Sequence, residues 1–222
     1  TGVSALMKAL NVDKAVIGIE INKADAIENL TTLADGFSGI TIQPLKVKYP
    51  QGGEKQLIKA VCGREVPSGK LPLDVNVVVQ NVATAYAVYE AVQKNKPLVE
   101  RIVTVTGHGL SNPGNFKVRI GTPVSALIEA AGGMPGDTGK VVNGGPMMGK
   151  ALSDINAPVT KGTSGVVLFR ETTSRRAEVT PCIRCTKCTY VCPMGLEPWM
   201  LAASAERGMF DRVEKGKVTD CI

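Results

Sequence analysis

The chain has 222 residues, of which 44% are hydrophobic and 21% are charged, and its net charge is +6. This length and apolar content allow more than one domain with a buried core, and no run of residues is apolar enough to span a membrane. The basic residues are scattered and aromatic side chains make up 4% of the chain, which excludes a stacking interface for nucleic acid. A mildly basic surface suits an acidic protein partner or an anionic cofactor.

The first 47 residues predict a strand, a helix and a second strand. Residues 14–21 form a near-continuous apolar run, which is typical of a strand buried on both faces of a parallel sheet. Apolar residues then recur at helical spacing, at Ala26, Ile27, Leu30, Leu33 and Ala34. Residues 39–47 are predicted as the second strand, with Pro44 indicating an edge or a bend. This order of elements is that of a βαβ unit, so the first hundred residues are predicted to be α/β.

A glycine pair, Gly52 and Gly53, enters the next predicted helix and is followed by Glu54 and Lys55. Glycines allow the backbone to approach a flat or phosphorylated ligand, and a helix N-terminus favours anions. A tight strand-to-helix turn without any ligand explains the same pair equally well. The predicted helix ends at Gly63.

Polar residues end the next predicted strand, which covers residues 74–81. The helix of residues 82–93 follows, so Asn81 is either its N-cap or a ligand contact, and the residues themselves favour the cap. Residues 100–106 are predicted as one more strand. The chain's single histidine, His108, has no neighbouring acid or nucleophile in its segment and is interpreted as a loop residue.

The middle of the chain predicts a compact α+β module of the β-grasp kind. Residues 116–120 alternate like a half-buried strand. Thr122 is predicted as the cap residue, and Pro123 as a first-turn proline, of a helix that ends at Gly132 and Gly133. Further strands are predicted at residues 141–142 and 166–169, on either side of a glycine-rich loop.

Four of the six cysteines lie within eleven residues, in the spacing C-x2-C-x2-C-x3-C followed by Pro193. This spacing holds iron–sulfur clusters in bacterial two-cluster ferredoxins, where the fourth cysteine ligates the other cluster. It therefore predicts Cys182, Cys185 and Cys188 as ligands of one [4Fe–4S] cluster and Cys192 as a ligand of a second. The cysteine pairs are too close together for a structural zinc site, and a disulfide cluster suits a small secreted domain instead.

Cys221 leaves two ligand sets open. In the favoured alternative, Cys221 begins a second cysteine run that the chain does not include. In the other, Cys221 completes a single cluster with Cys182, Cys185 and Cys188, and Cys192 is spare.

Cys62 is interpreted as a buried thiol in a helix core. A short helix is predicted at residues 197–207. An apolar shell around the sulfurs is predicted from Ile183, Tyr190, Val191, Met194, Leu196, Trp199, Met200 and Leu201.

Five stretches in the same order resemble the C subunit of the Rnf electron-transport complex, a family related to the flavoprotein subunit of respiratory complex I. They are residues 49–58, 63–67, 80–87, 144–149 and 181–185. The resemblance implies a partial Rossmann-like flavin/NADH domain at residues 1–112, a β-grasp domain at 113–172 and a ferredoxin-like cluster segment at 173–222. The glycine-rich N-terminal flavin loop and the second cysteine run of the family are absent, so we expect a fragment that lacks both ends.

The same resemblance implies a function for the intact protein. It would be a peripheral subunit on the cytoplasmic face of the bacterial inner membrane, held there by partner subunits. The whole complex would be an oxidoreductase that couples electron transfer between ferredoxin and NAD(H) to export of Na⁺ or H⁺. FMN, NAD(H) and two [4Fe–4S] clusters would be the cofactors. Gly52, Gly53, Glu54 and Lys55 would line the flavin and nicotinamide pocket, and Asn81 would touch the flavin. No catalytic carboxylate or nucleophile is predicted.

Two other hypotheses remain open from the sequence. A soluble corrinoid reductase has the same domains, and retention of the parent protein in a membrane fraction would distinguish it from the first hypothesis. A non-catalytic iron–sulfur relay is the other, and it predicts that neither FMN nor NADH binds to the intact protein.

Overall fold

The computed structural model describes all 222 residues as a mixed α/β protein with two compact units. The first unit comprises residues 1–95 and 181–222, and the second comprises residues 96–180. None of the helices is long and apolar enough to cross a membrane.

The helices are α1 (Gly2–Leu10), α2 (Ala24–Ala34), α3 (Glu54–Cys62), α4 (Val82–Lys94), α5 (Val124–Ala130), α6 (Glu171–Ser174), α7 (Lys187–Val191), α8 (Pro198–Glu206) and α9 (Phe210–Lys215). The strands are β1 (Ala15–Glu20), β2 (Ile40–Leu45), β3 (Glu100–Gly107), β4 (Gly114–Arg119), β5 (Thr138–Asn143), β6 (Lys150–Ala151) and β7 (Gly165–Arg170).

The first unit begins with α1 and the predicted βαβ unit. β1 and β2 pair in parallel, with Ala15 opposite Ile40 and Glu20 opposite Leu45, and α2 connects them. The prediction that β1 is buried on both faces is wrong, since Ile19 is its only buried residue. The sheet has two strands, so each strand has one edge without a strand partner.

Both helices predicted after β2 are confirmed. α3 ends at Gly63, which adopts the left-handed conformation with φ of 69° that glycine tolerates best. α4 begins after Asn81 and packs against α1, where the backbone carbonyl of Ala85 leaves no room for a Cβ on Gly2.

The strand predicted at residues 74–81 is wrong. A 3₁₀ helix occupies Pro72–Val75, and Asn76 follows it in the left-handed conformation with φ of 54°. The side chain of Asp74 accepts a hydrogen bond of 2.8 Å from the backbone N–H of Leu71. This local capping, together with proline at the first position, favours a turn over an extended strand.

The second unit is a five-stranded mixed sheet in the order β4-β3-β7-β5-β6. β3 pairs in parallel with β7, and the other pairs are antiparallel. Helix α5 contributes Val124, Leu127 and Ile128 to a core that also contains Val103, Val105, Ala131, Val141, Val159, Val166 and Leu168. The strand predicted at residues 100–106 therefore lies in the second sheet and not with β1 and β2. The N-cap of α5 is Pro123 and not Thr122.

Residues 181–222 return to the first unit as three short helices and a 3₁₀ helix at Val218–Asp220. α8 confirms the predicted helix, with proline at its first position and Gly208 in the left-handed conformation after its end. The predicted apolar shell is only partly present. Leu196 and Leu201 are buried, whereas Ile183, Tyr190 and Val191 are 78% to 86% exposed.

Candidate functional site

The glycine pair lies at the start of α3, as the sequence predicts. Gly53 is the N-cap, in an extended conformation, and Glu54 is the first helical residue. A Cβ on Gly53 would lie 2.5 Å from the side-chain oxygen of Gln56, whereas a Cβ on Gly52 would have no atom within 4 Å. Gly52 is exposed. The Gln56 oxygen is the end of a flexible side chain that can move aside, so packing within the chain requires glycine at neither position, and the open space at Gly52 suits the close approach of a ligand.

The two residues after Glu54 contact the cysteine-bearing segment. The Lys55 ammonium lies 3.9 Å from a carboxylate oxygen of Asp220, and both side chains are largely buried. The Gln56 side-chain nitrogen donates to the sulfur of Met194 at 2.8 Å. The first turn of α3 is thus fixed against residues more than 130 positions away in the sequence, a link that the sequence analysis missed. No local pattern in the sequence signals either contact.

Asn81 is the N-cap of α4. Its side-chain oxygen accepts a hydrogen bond of 2.9 Å from the backbone N–H of Ala83. The residue is exposed, so its amide nitrogen remains accessible from solvent. The capping role favoured from the sequence is confirmed, and the predicted contact with a flavin stays a prediction.

All six cysteines are free thiols. Cys182, Cys185 and Cys221 are exposed, and Cys188 and Cys192 are half-buried. Cys62 is exposed at the last position of α3, so its assignment to a helix core is wrong. An apolar neighbourhood in sequence does not decide which side of a short helix faces the core.

Backbone N–H groups point at two of the four clustered sulfurs. Arg184 donates to the Cys182 sulfur at 3.4 Å, and Leu196 donates to the Cys192 sulfur at the same distance. Arg184 and Thr186 adopt left-handed conformations with φ of 57° and 58°. Hydrogen bonds to sulfur stabilise negative charge on cluster ligands, so this local geometry fits an iron–sulfur loop. No three histidine, cysteine, aspartate or glutamate side chains form a group that could hold a metal ion, so ligation by these cysteines stays a prediction.

Family models match two parts of the chain. The model of the Nuo51 FMN-binding domain matches residues 1–90, and that of the SLBB domain matches residues 102–151. The structure is similar to NAD⁺-reducing [NiFe]-hydrogenase, with a TM-score of 0.60 in the air-oxidised state and 0.55 in the H₂-reduced state. The identities are 20% and 18%, and each match covers 76% of this chain and 35% of the other. Residues 1–90 thus match an FMN-binding domain of the Nuo51 type, and the solved structures show a similar fold over 76% of the chain.

Three bacterial relatives are 40% to 43% identical to the chain. The chain is 43% identical, over 99% of its length and 49% of the relative, to the C subunit of the Na⁺-translocating ferredoxin:NAD⁺ oxidoreductase complex of Acetobacterium woodii. It is 42% identical, over 96% of its length and 47% of the relative, to the C subunit of the corresponding proton-translocating complex of Clostridium ljungdahlii. The C subunit of the ion-translocating oxidoreductase complex of Rhodobacter capsulatus is 40% identical over 96% of this chain and 41% of the relative.

The chain is therefore a homologue of the C subunit of the Rnf complex, and the resemblance seen in its motifs is confirmed. It spans about half the length of the curated relatives it matches.

Proposed function

We propose that the protein is the electron-entry subunit of a membrane-associated, ion-translocating NAD:ferredoxin oxidoreductase. The observation that carries this proposal is the 43% identity, over 99% of the chain, with the C subunit of the Acetobacterium woodii complex. The open space beside Gly52 and the N–H groups directed at cysteine sulfur support it, because they suit a flavin or nucleotide and iron–sulfur clusters respectively.

Three functional parts follow from this proposal. Residues 1–95 are part of a Rossmann-like flavin/NADH domain, residues 96–172 form the β-grasp domain, and residues 173–222 are a ferredoxin-like segment. The first boundary lies before the expected residue 112 because β3 pairs with β7 in the second sheet. The FMN-binding model over residues 1–90 and the SLBB model over residues 102–151 support the first two assignments.

In the flavin and nicotinamide pocket, each residue has a distinct task. Gly52 leaves room for the ligand, and Gly53 directs the backbone N–H groups of the first turn of α3 toward it. Lys55, paired with Asp220, holds the first turn of α3 in place beside the ligand, and Glu54 would act on the bound nucleotide through its charge. Asn81 fixes the start of α4 and offers its amide nitrogen. A flavin held by these residues would supply the chemistry that links two-electron exchange with a nicotinamide to one-electron exchange with iron–sulfur clusters.

The thiolates of the cysteine segment hold the clusters. Cys182, Cys185 and Cys188 bind one [4Fe–4S] cluster, while Cys192 and Cys221 contribute to a second. The N–H groups of Arg184 and Leu196 stabilise charge on the sulfurs they contact. The other subunits of the complex hold this protein at the cytoplasmic face of the membrane, as a peripheral subunit.

The test is a metal analysis of the intact natural protein, isolated without oxygen. We expect about eight iron atoms and matching acid-labile sulfide per chain, with cluster EPR signals after reduction and bleaching of a flavin by NADH. About four iron atoms would support a single cluster instead. A colourless protein that carries zinc would overturn the proposal.

A matched pair of cysteine variants locates the clusters. Cys188→Ser removes a predicted ligand, and we expect the protein to lose about half of its iron. Cys62→Ser removes an exposed thiol outside the cysteine run and should leave the iron content unchanged. Equal iron in both variants would contradict the assigned ligand set.

A further inference from the structure

A groove of about 590 Å³ lies within residues 184–216 of the first unit and is strongly basic. Four cations line it, namely Arg184 from the cysteine loop, Arg207 at the end of α8, and Arg212 and Lys215 from α9. Glu197 is the one carboxylate in its lining. We call this surface the basic groove.

The four cations have no partners within the chain. All four are exposed, and none of them takes part in an ion pair, although salt bridges form elsewhere in both units. Like charges gathered in one concave surface raise its positive potential, so the groove favours the binding of negative charge. An anionic occupant is therefore expected.

The composition of the groove distinguishes a protein from other anions. Three of the four cations are arginines, whose guanidinium groups pair with carboxylates through two parallel hydrogen bonds. Trp199, the only tryptophan of the chain, is half-buried in the lining. Arginine and tryptophan are the residue types that dominate the binding energy of protein interfaces.

Two other anionic occupants fit the groove less well. A nucleotide phosphate is typically bound where a glycine-rich turn enters a helix, but the one glycine in the lining, Gly216, lies at the end of α9. A lipid surface is flat and cannot enter a concave groove. Exposed apolar side chains continue nearby, with Ile183 at 86% and Phe210 at 69% exposure. A mixed apolar and cationic surface suits a lasting subunit interface better than the small, polar contact of a freely diffusing electron carrier.

We propose that the basic groove docks an acidic segment of a neighbouring subunit of the electron-transfer complex, beside the loop of Cys182 and Cys185. This inference rests on the proposed function, because it takes the cysteine loop as the point where electrons pass between subunits. Arg184 connects the two features, since it lines the groove and its backbone N–H donates to the Cys182 sulfur.

Rebinding to stripped membranes tests the docking. Membranes of the source organism are washed free of this subunit, and the intact natural protein is added back over a series of salt concentrations. The double variant Arg207→Glu/Arg212→Glu should bind about tenfold or more weakly at low salt, since it places like charges across the interface. Lys140→Glu/Lys161→Glu makes the same number of charge reversals at exposed sites in the second unit and should bind like the parent protein.

Three parallel measurements identify the occupant. Photo-crosslinking from position 203, where Ala203 lines the groove, should capture an acidic peptide of another subunit. Equal binding of the parent to protein-free vesicles of the extracted lipids would overturn the proposal in favour of a lipid surface. Loss of ferredoxin or NADH binding in the double variant, with membrane binding intact, would overturn it in favour of that ligand.

Folding and function are checked separately. The neutralising variant Arg207→Gln/Arg212→Gln introduces no repulsion and should show an intermediate loss of binding, with an unchanged circular dichroism spectrum. Iron content and flavin reduction by NADH should be normal in both groove variants. Unchanged membrane binding of a variant with normal iron and flavin would refute the docking surface and leave the proposed function standing.

Discussion

Asn81 shows how one side chain can have a structural task and a proposed binding task. Its oxygen caps α4 through Ala83, and its amide nitrogen is accessible. The cap could be predicted from sequence because donor and acceptor are two residues apart. The exposure of Cys62 could not, because burial depends on what packs against the helix from elsewhere in the chain.

Substitution at position 81 separates these two tasks. Asn81→Ala should lower the free energy of unfolding by about 1 kcal/mol, because it removes the cap. Asn81→Asp keeps an oxygen acceptor and should preserve stability, but it should weaken FMN binding if the amide nitrogen contacts the flavin. Urea unfolding and FMN titration of the intact natural protein measure the two effects. Unchanged stability in Asn81→Ala would contradict the capping role.

Gly52 gives the second prediction at the scale of a single residue. A methyl group at this position meets no protein atom, so Gly52→Ala should change the free energy of unfolding by less than about 0.5 kcal/mol. The same methyl group would occupy the space assigned to the ligand and should lower FMN or NADH affinity.

Gly136→Ala is the matched control, since position 136 in the second unit is also open. It should leave both stability and ligand affinity unchanged. If Gly52→Ala binds FMN and NADH as tightly as the parent protein, the loop does not line the pocket.

Glu100 predicts a pH dependence of stability. Lys117 and Lys96 donate hydrogen bonds to its carboxylate at 2.9 Å and 3.3 Å, and they hold its pKa below the ordinary glutamate value. A folded-state pKa below the unfolded one stabilises the protein above the unfolded pKa, and this contribution is lost as the pH falls through the folded pKa. Glu100→Gln should therefore be less stable than the parent protein near neutral pH, with the difference vanishing in acid.

Urea midpoints at several pH values measure this effect. The control is Glu178→Gln, which alters an exposed glutamate that forms no ion pair. A difference between Glu100→Gln and the parent that persists unchanged into acid would exclude the ion pairs as its cause.

At the scale of elements, local sequence patterns predicted a helix or strand where its boundaries carry their own signals. α3 and α4 carry their own signals, a glycine or asparagine at the boundary and apolar residues at helical spacing. The false strand at residues 74–81 had a suitable apolar run, but Asp74 and Asn76 make local contacts that terminate it. The position of β3 depends on pairing with β7, more than 60 residues later, and no local pattern contains that information.

The central strand of the second sheet should be sensitive to loss of volume. Leu168 in β7 is 1% exposed and lies in the core with Val103 and Val141. Leu168→Ala should therefore cost about 2–5 kcal/mol in free energy of unfolding, through lost burial and the cavity left behind. Val179→Ala, at a position that is 99% exposed, should cost less than about 0.5 kcal/mol. Equal midpoints for the two variants in urea would contradict the assigned core.

At the scale of the whole molecule, the first unit is assembled from the two ends of the chain. The contacts of Lys55 with Asp220 and of Gln56 with Met194 join them, and neither pair is visible in the sequence because its members are separated by well over a hundred residues. The same contacts place the proposed flavin loop beside the proposed cluster segment. The ammonium and carboxylate are 3.9 Å apart, so the role of this ion pair is to fix the first turn of α3.

The final prediction concerns how the two units unfold. The first unit buries Ile19, Leu45, Ile58 and Leu201, and the second has its own core around Leu168. We therefore expect the chain to unfold in urea in two steps. Trp199, the only tryptophan, lies in the first unit, so its fluorescence should follow that unit alone, whereas circular dichroism follows both.

Leu168→Ala distinguishes two steps from one. It should move the circular dichroism transition of the second unit to lower urea and leave the Trp199 fluorescence midpoint unchanged, because the altered core belongs to the other unit. Ile58→Ala is the reciprocal variant, since Ile58 is 1% exposed in the first unit, and it should move the fluorescence midpoint. A common shift of both probes in both variants would show instead that the chain unfolds as one cooperative body.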